Sequence, residues 1–234
     1  MRKGELRRDS ILNAAEELFV RKGYDETSIQ DILDALSLSK GGFYHYFESK
    51  IQLLEEISAR RAERDVARLR NEFVSTRLDN PRRLSLIFSA MQLMNGGDAD
   101  FAAMALKVGY IDSDVNFRDK NRGFLLENLC PLAEVAVRDG AADGSFFVRN
   151  PQRIARILLL MACDANDECC RALAENPQSP DCAVEIMEIA NAYRECMENL
   201  LGARFGSIVF CEPEPTADFV RQICEKFEGT EKQE

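Results

Sequence analysis

Between Leu38 and Lys50 the chain reads Leu-Ser-Lys-Gly-Gly-Phe-Tyr-His-Tyr-Phe-Glu-Ser-Lys, a run that mixes small, cationic and aromatic hydrogen-bonding residues. Gly41 and Gly42 near the start of a short helix let its backbone come close to a phosphate, and free amides and the helix dipole favour an anion there. Ser39 can cap that helix and Lys40 adds positive charge. Tyr44, His45 and Tyr46 can hydrogen-bond to phosphates or to base edges in a major groove. Phe43 and Phe47 belong instead to a small core. This is the chemistry of nucleic-acid recognition. Catalysis is not indicated: the only histidine, His45, lies inside the run, and no Ser/His/Asp set, metal cluster or phosphate-cradling glycine loop accompanies it. No catalytic residue, metal ion or cofactor is expected.

The elements that position these residues are helical. Ile11, Ala15, Leu18 and Phe19 share one face over residues 7–22, with Arg21 and Lys22 in the last turn and Gly23 beyond it, which predicts a first helix. Thr27-Ser28-Ile29-Gln30 fits a capping box, and Ile29, Ile32, Leu33 and Leu36 then predict a second helix over about 28–36. Ser37-Leu38-Ser39 is a tight connection to a third short helix over residues 40–46, so the pair reads as a helix-turn-helix unit. Ser49-Lys50-Ile51-Gln52 repeats the capping pattern and starts a long fourth helix ending before Asn80-Pro81. It leaves the first module without a Gly/Ser tether.

Every later segment also reads as helix. The first stripe is Leu84, Ile87, Phe88, Met91 and Met94, ended by Asn95-Gly96-Gly97, and the next is Phe101, Met104, Ala105 and Val108, closing near Gly109. A helix over about 116–139 is expected to kink at Pro131, because proline lacks the backbone donor and clashes with the preceding turn. Further helices are expected from Pro151, after Pro180 and after Pro215, with Ser207-Ile208-Val209-Phe210 as a short extended piece. The fold class is therefore all-α, with a three-helix helix-turn-helix domain at residues 1–50 and a larger helical domain at 51–234.

Composition narrows the partners. The longest apolar run, Ile157 to Cys163, is far too short to span a membrane, so no membrane partner is expected. The charged start of the chain leads into no signal-peptide core, which predicts a cytoplasmic protein. Eight cysteines, none in a Cys-x-x-Cys pair and all from Cys130 onward, read as reduced and mostly buried thiols. The net charge of −10 argues against nucleic acid, but residues 1–50 carry eight Lys/Arg against nine Asp/Glu, so the acidity belongs mainly to the rest of the chain. An arm of Arg2, Lys3, Arg7 and Arg8 can supply charge toward DNA.

Residues 11–54 resemble the DNA-binding module of the tetracycline-repressor (TetR) family of bacterial one-component regulators. The likeness is carried by Ala14-Ala15 with Leu18-Phe19, by Gly23-Tyr24 and Thr27-Ser28, and by the run from Tyr44 to Lys50. It covers about a quarter of the chain; beyond it, only length and the all-helical pattern agree. The resemblance implies that Thr27, Ser28 and Lys50 bind phosphates beside the Ser39, Lys40, Gly41, Tyr44, His45 and Tyr46 surface. It implies a homodimer on a pseudo-palindromic double-stranded operator, since one short recognition helix reads too few bases and two must stand roughly 34–36 Å apart. The implied dimer interface lies on helices at about 151–174 and 181–205. The implied effector pocket lies among the preceding helices, where Met91, Met94, Phe101, Met104, Tyr110 and Phe124 suit a small apolar or aromatic molecule. The function expected is a repressor released from DNA by that effector. A helix-turn-helix protein that binds a protein partner is the alternative, and it leaves Tyr44, Tyr46 and Lys50 without a purpose.

Overall fold

Apolar residues spaced three and four apart through nearly the whole chain demand helices that bury one stripe each, and that is the architecture found. The computed structural model describes residues 3–75, 77–91, 98–177, 179 and 181–231. They form ten α-helices and one π-helical turn, with no strand among the described residues. The all-α reading holds. The chain divides into two units, Met1–Glu63 and Arg64–Glu234.

The first unit contains α1 (Lys3–Lys22), α2 (Ile29–Leu36), α3 (Lys40–Tyr44) and the first half of α4 (Lys50–Ser75). Its interior is mainly apolar: Ile11, Leu12, Ala15, Leu18 and Phe19 of α1, Ile32 and Leu33 of α2, Phe43 and Phe47, and Leu53, Leu54 and Ile57 of α4 are all buried. Ion pairs bind α1 to α4 along the flank of that core. Arg8 pairs with Glu56, and Glu16 receives Arg60 and, at 2.8 Å, Arg61. Burial opposes ionisation of Glu16, but the hydrogen bonds from Arg60 and Arg61 outweigh it and hold the carboxyl below its ordinary value of 4.5.

The second unit holds the end of α4 with α5 (Asn80–Met91), α6 (Ala99–Leu106), α7 (Val115–Asp143), α8 (Pro151–Glu175), α9 (Cys182–Leu201) and α10 (Pro213–Glu231). Asp98, Asp114 and Asn150 cap α6, α7 and α8 by accepting from the amides three residues on. One large apolar cluster joins α4, α5, α7, α8 and α9, and a second joins α6, α8, α9 and α10.

Three local expectations are corrected. The helix expected to close near Gly109 stops at Leu106 and passes into the π turn Lys107–Ile111. Ser207 to Phe210 is not extended strand; Ile208 and Phe210 are buried, and the carboxylate of buried Glu198 accepts from the Gly206 amide at 3.0 Å and the Ile208 amide at 2.9 Å. α7 continues past residue 139 to Asp143, with Pro131 inside it, and stops where Gly144 takes a φ of 85°. All eight thiols are free. Burial pushes Cys163 up to about 11 and Cys170 up to about 12, so neither is a thiolate at neutral pH.

Two outcomes test this packing. A methyl group on Gly140 would lie 2.2 Å from Cδ2 of the buried Phe146 ring, so Gly140→Ala should lower stability by roughly 1–3 kcal/mol in urea unfolding. Gly140→Ala with Phe146→Leu should recover part of it; an unchanged midpoint in the single variant would contradict the contact. The lowered Glu16 carboxyl contributes stability above pH 4.5 that is lost as pH falls through the folded value, so Glu16→Gln should flatten the acid limb of a pH-stability curve.

Candidate nucleic-acid interface

α2 is eight residues long and α3 only five, so each depends on its caps and on the core beneath it. The box on α2 is displaced by one residue from the expected Thr27 and Gln30. Ser28 is the N-cap: its hydroxyl accepts from the Asp31 amide at 3.1 Å, and the Asp31 carboxylate accepts from the Ser28 amide at 2.7 Å. Thr27 is buried, and its hydroxyl donates inward to the Gly23 carbonyl at 2.7 Å and the Leu18 carbonyl at 3.3 Å. Gln30 bonds instead to Asp34 at 2.6 Å. Hydrogen bonds from Ser28, joined by Lys22 at 3.0 Å, hold the Asp31 carboxyl well below the usual range.

The connection to α3 turns at Ser37, whose φ of 51° places it in the left-handed region. Ser39 then caps α3 by accepting from the Gly42 amide at 3.2 Å. The helix ends at Tyr44, sooner than the expected residue 46, and His45 and Tyr46 form the turn that follows. Phe43 and Phe47 point into the core with ring centroids 5.9 Å apart, and the Arg8 guanidinium lies 5.1 Å from the Phe47 centroid.

With those rings buried, the polar residues of the run face outward. Ser28, Ser39, Lys40, Gly41 and His45 are exposed, and Tyr44 is 53% exposed. Tyr46 is half-buried, edge-on to His45 at 4.8 Å, with its hydroxyl beside Gly4 of α1. Lys50 is also half-buried: its ammonium donates to the Tyr24 carbonyl at 2.8 Å and lies 4.2 Å from the Tyr24 ring centroid. Ser49 and Gln52 form the cap of α4, Ser49 accepting from the Gln52 amide at 3.3 Å and Gln52 accepting from the Glu48 amide at 2.7 Å.

Sequence reasoning passed over Tyr24 and Asp31 as positioning residues. Asp31 was findable, since Ser28-x-x-Asp31 satisfies the same spacing rule as the box placed one residue earlier. Tyr24 carried no local signal, because its partner stands 26 positions away.

The expected effector residues lie in the second unit and do not converge on one cluster. Met91 and Phe124 belong to the first apolar cluster, while Tyr110 packs on the second. Met104 is buried and Phe101 half-buried. Met94 lies outside the described residues. No group of His, Cys, Asp and Glu among the described residues could hold a metal ion, and none of their helices is long and apolar enough to cross a membrane.

Two capped short helices joined by a tight turn, with a polar outer surface on the second, define a helix-turn-helix protein. Residues 11–57 match the family model described as bacterial regulatory proteins, tetR family. The chain is 32% identical over 144 residues to the transcriptional repressor KstR2 of Rhodococcus jostii, covering 60% of this chain and 68% of that one. It is 54% identical over 43 residues to an uncharacterised helix-turn-helix regulator of Lactococcus lactis, covering 18% of this chain and 22% of that one. A solved TetR-family regulator of Pectobacterium atrosepticum superposes with a TM-score of 0.60 at 17% identity, over 85% of this chain and 96% of that one. The protein belongs to the TetR family of bacterial regulators. The chain spans 22%, 34% and 25% of the length of the first curated relatives it matches.

Thr27→Val keeps the shape and removes the inward donor, leaving the Leu18 and Gly23 carbonyls a partner short. It should cost about 1–3 kcal/mol in thermal or chemical unfolding. Tyr44→Phe, at an exposed position, should leave the unfolding midpoint unchanged; the reverse ranking would contradict the two placements.

Proposed function

We propose that this protein is a homodimeric transcriptional repressor of the cytoplasm that binds a pseudo-palindromic operator and is released from it by a small-molecule effector. The observation that carries the reading is α3. A helix braced from beneath by Phe43 and Phe47 carries Lys40, Gly41 and Tyr44 on its exposed side, with His45 just after it. No interior role accounts for these groups, and all of them suit phosphate or base-edge contacts.

In this reading residues 1–50 bind DNA and residues 51–234 bind effector and partner subunit. Ser28, Ser39, Lys40, Gly41, Tyr44, His45 and Tyr46 contact the operator. Thr27 serves by holding the turn that presents Ser28, since its own hydroxyl is directed inward. Lys50 serves twice, steadying the Tyr24 turn and placing its charge near the backbone of the duplex. The dimer forms on α8 and α9, supported by exposed Ile157, Val184 and Leu200. The effector is held among Met91, Phe101, Met104, Tyr110 and Phe124. α4, one helix shared by both units, links the effector to the recognition helix. The ligand releases DNA only by as much as it prefers the DNA-incompetent state.

The test uses the full chain and an operator selected from random duplex DNA. Lys40→Ala should weaken binding at all sequences and reduce the salt slope by about one. Tyr44→Ala should weaken binding while the melting temperature stays put, and sedimentation should give a dimer at micromolar concentration. A monomer, or a selection that yields no enriched palindrome, would overturn the proposal.

A further inference from the structure

Three unusual features of the second unit meet at one place. The first is the π turn Lys107–Ile111, a form that widens the backbone and recurs at functional sites. It carries Tyr110. The second is Asp167 on α8, four residues after buried Cys163 and three before buried Cys170, with a side chain only 21% exposed. A carboxylate set between two buried positions needs a reason. The third is the pair Arg118 and Arg122, one turn apart on α7 and so on one face of that helix.

The geometry joins them. The Tyr110 hydroxyl donates to one oxygen of Asp167 at 2.5 Å, and Arg122 reaches the other through a single long contact of 3.5 Å. The Arg118 guanidinium lies over the Tyr110 ring, 5.2 Å from its centroid, and has no carboxylate partner among the described residues. Burial above all, with the hydrogen bond to Asp167 and the charge of that carboxylate, pushes the Tyr110 phenol well above its ordinary value, so it keeps its proton at neutral pH. Arg122 thus has only a long contact to a carboxylate, and half-buried Arg118 makes no ion pair among the described residues. A guanidinium over a ring face can keep its hydrogen-bonding edge for other partners, and that edge takes a carboxylate by two parallel bonds. Asp167 stands between the two apolar clusters on α8: buried Cys163 belongs to the first and buried Cys170 to the second.

We propose that Arg118 and Arg122, with Tyr110 as their platform, bind the carboxylate of a small organic acid. Arg118 takes the bidentate contact. Arg122 turns from Asp167 toward the ligand, and Asp167 keeps Tyr110 in place. The site supplies the acidic head group of the effector, and its regulatory meaning rests on the function proposed above.

The experiment is calorimetric titration of the full chain with sodium benzoate, with benzamide as its neutral counterpart and inorganic phosphate as a tetrahedral anion, at constant ionic strength. Benzoate should bind saturably, and benzamide and phosphate at least tenfold more weakly. Arg118→Gln should weaken benzoate at least tenfold with an unchanged melting temperature, because the residue is half-exposed and makes no ion pair among the described residues. Asp167→Asn should tighten benzoate several-fold by freeing Arg122. Absence of saturable benzoate binding, equal binding of benzoate and benzamide or phosphate, or indifference to Arg118→Gln would overturn the site. Benzoate that binds as expected but leaves operator occupancy unchanged keeps the carboxylate site and removes its role in DNA release. Operator release by neutral compounds, with benzoate inert, keeps the repressor and removes the site.

Discussion

A helix of five residues closes too few backbone hydrogen bonds to persist in water, so α3 is held by what lies beneath it. Phe43 and Phe47, both fully buried, are the anchor. Their rings fix the rotation of the helix about its axis, and that rotation decides which residues meet a partner. Turned by one position, Tyr44 would enter the core and Phe43 would face water. The identity of the exposed surface is thus a consequence of two buried rings, and the Ser39 cap only sets where the helix begins.

The same unit allocates its charges in a way that composition does not show. Arg8 is committed to Glu56 and to the face of Phe47, Lys22 to Asp31, and Lys50 to the carbonyl and ring of Tyr24. Arg7 and Lys40 make no ion pair among the described residues. A module with a nearly balanced formal charge therefore offers a partner few free cations, and hydrogen-bonding groups such as Tyr44, His45 and Ser28 gain importance. The engaged cations act on the scaffold, tying α1 to α4 and the α1–α2 turn to the start of α4.

Two carboxylates of the second unit show how differently a shielded charge can be used. Glu198, 2% exposed, receives Arg194 at 2.7 Å and two backbone amides, a full set of donors that fastens the segment after α9. Nothing is left over for a ligand. Asp167 has one short bond from the Tyr110 phenol and one long contact from Arg122, and Arg118 lies over the ring of that same tyrosine. The first carboxylate has a full set of strong donors, whereas the second has one strong donor and one weak one.

Much of this protein was legible in its sequence because its signals are local. The 3.6-residue stripes located the long helices, Gly23 marked the end of α1, and the aromatic pattern from Phe43 to Phe47 separated core from surface. What escaped were contacts made across the chain. The cap moved from Thr27 to Ser28 because the Thr27 hydroxyl is drawn to carbonyls of the α1 end, and Lys50 found a partner 26 residues upstream. The π turn, the pairing of Tyr110 with Asp167 and the splitting of the expected pocket residues between two clusters likewise depend on how α6, α7 and α8 pack. A spacing rule sees one helix at a time. Which polar group finds its partner inside is settled only when several helices close on one another, because an unpaired polar group costs more there than at any exposed position.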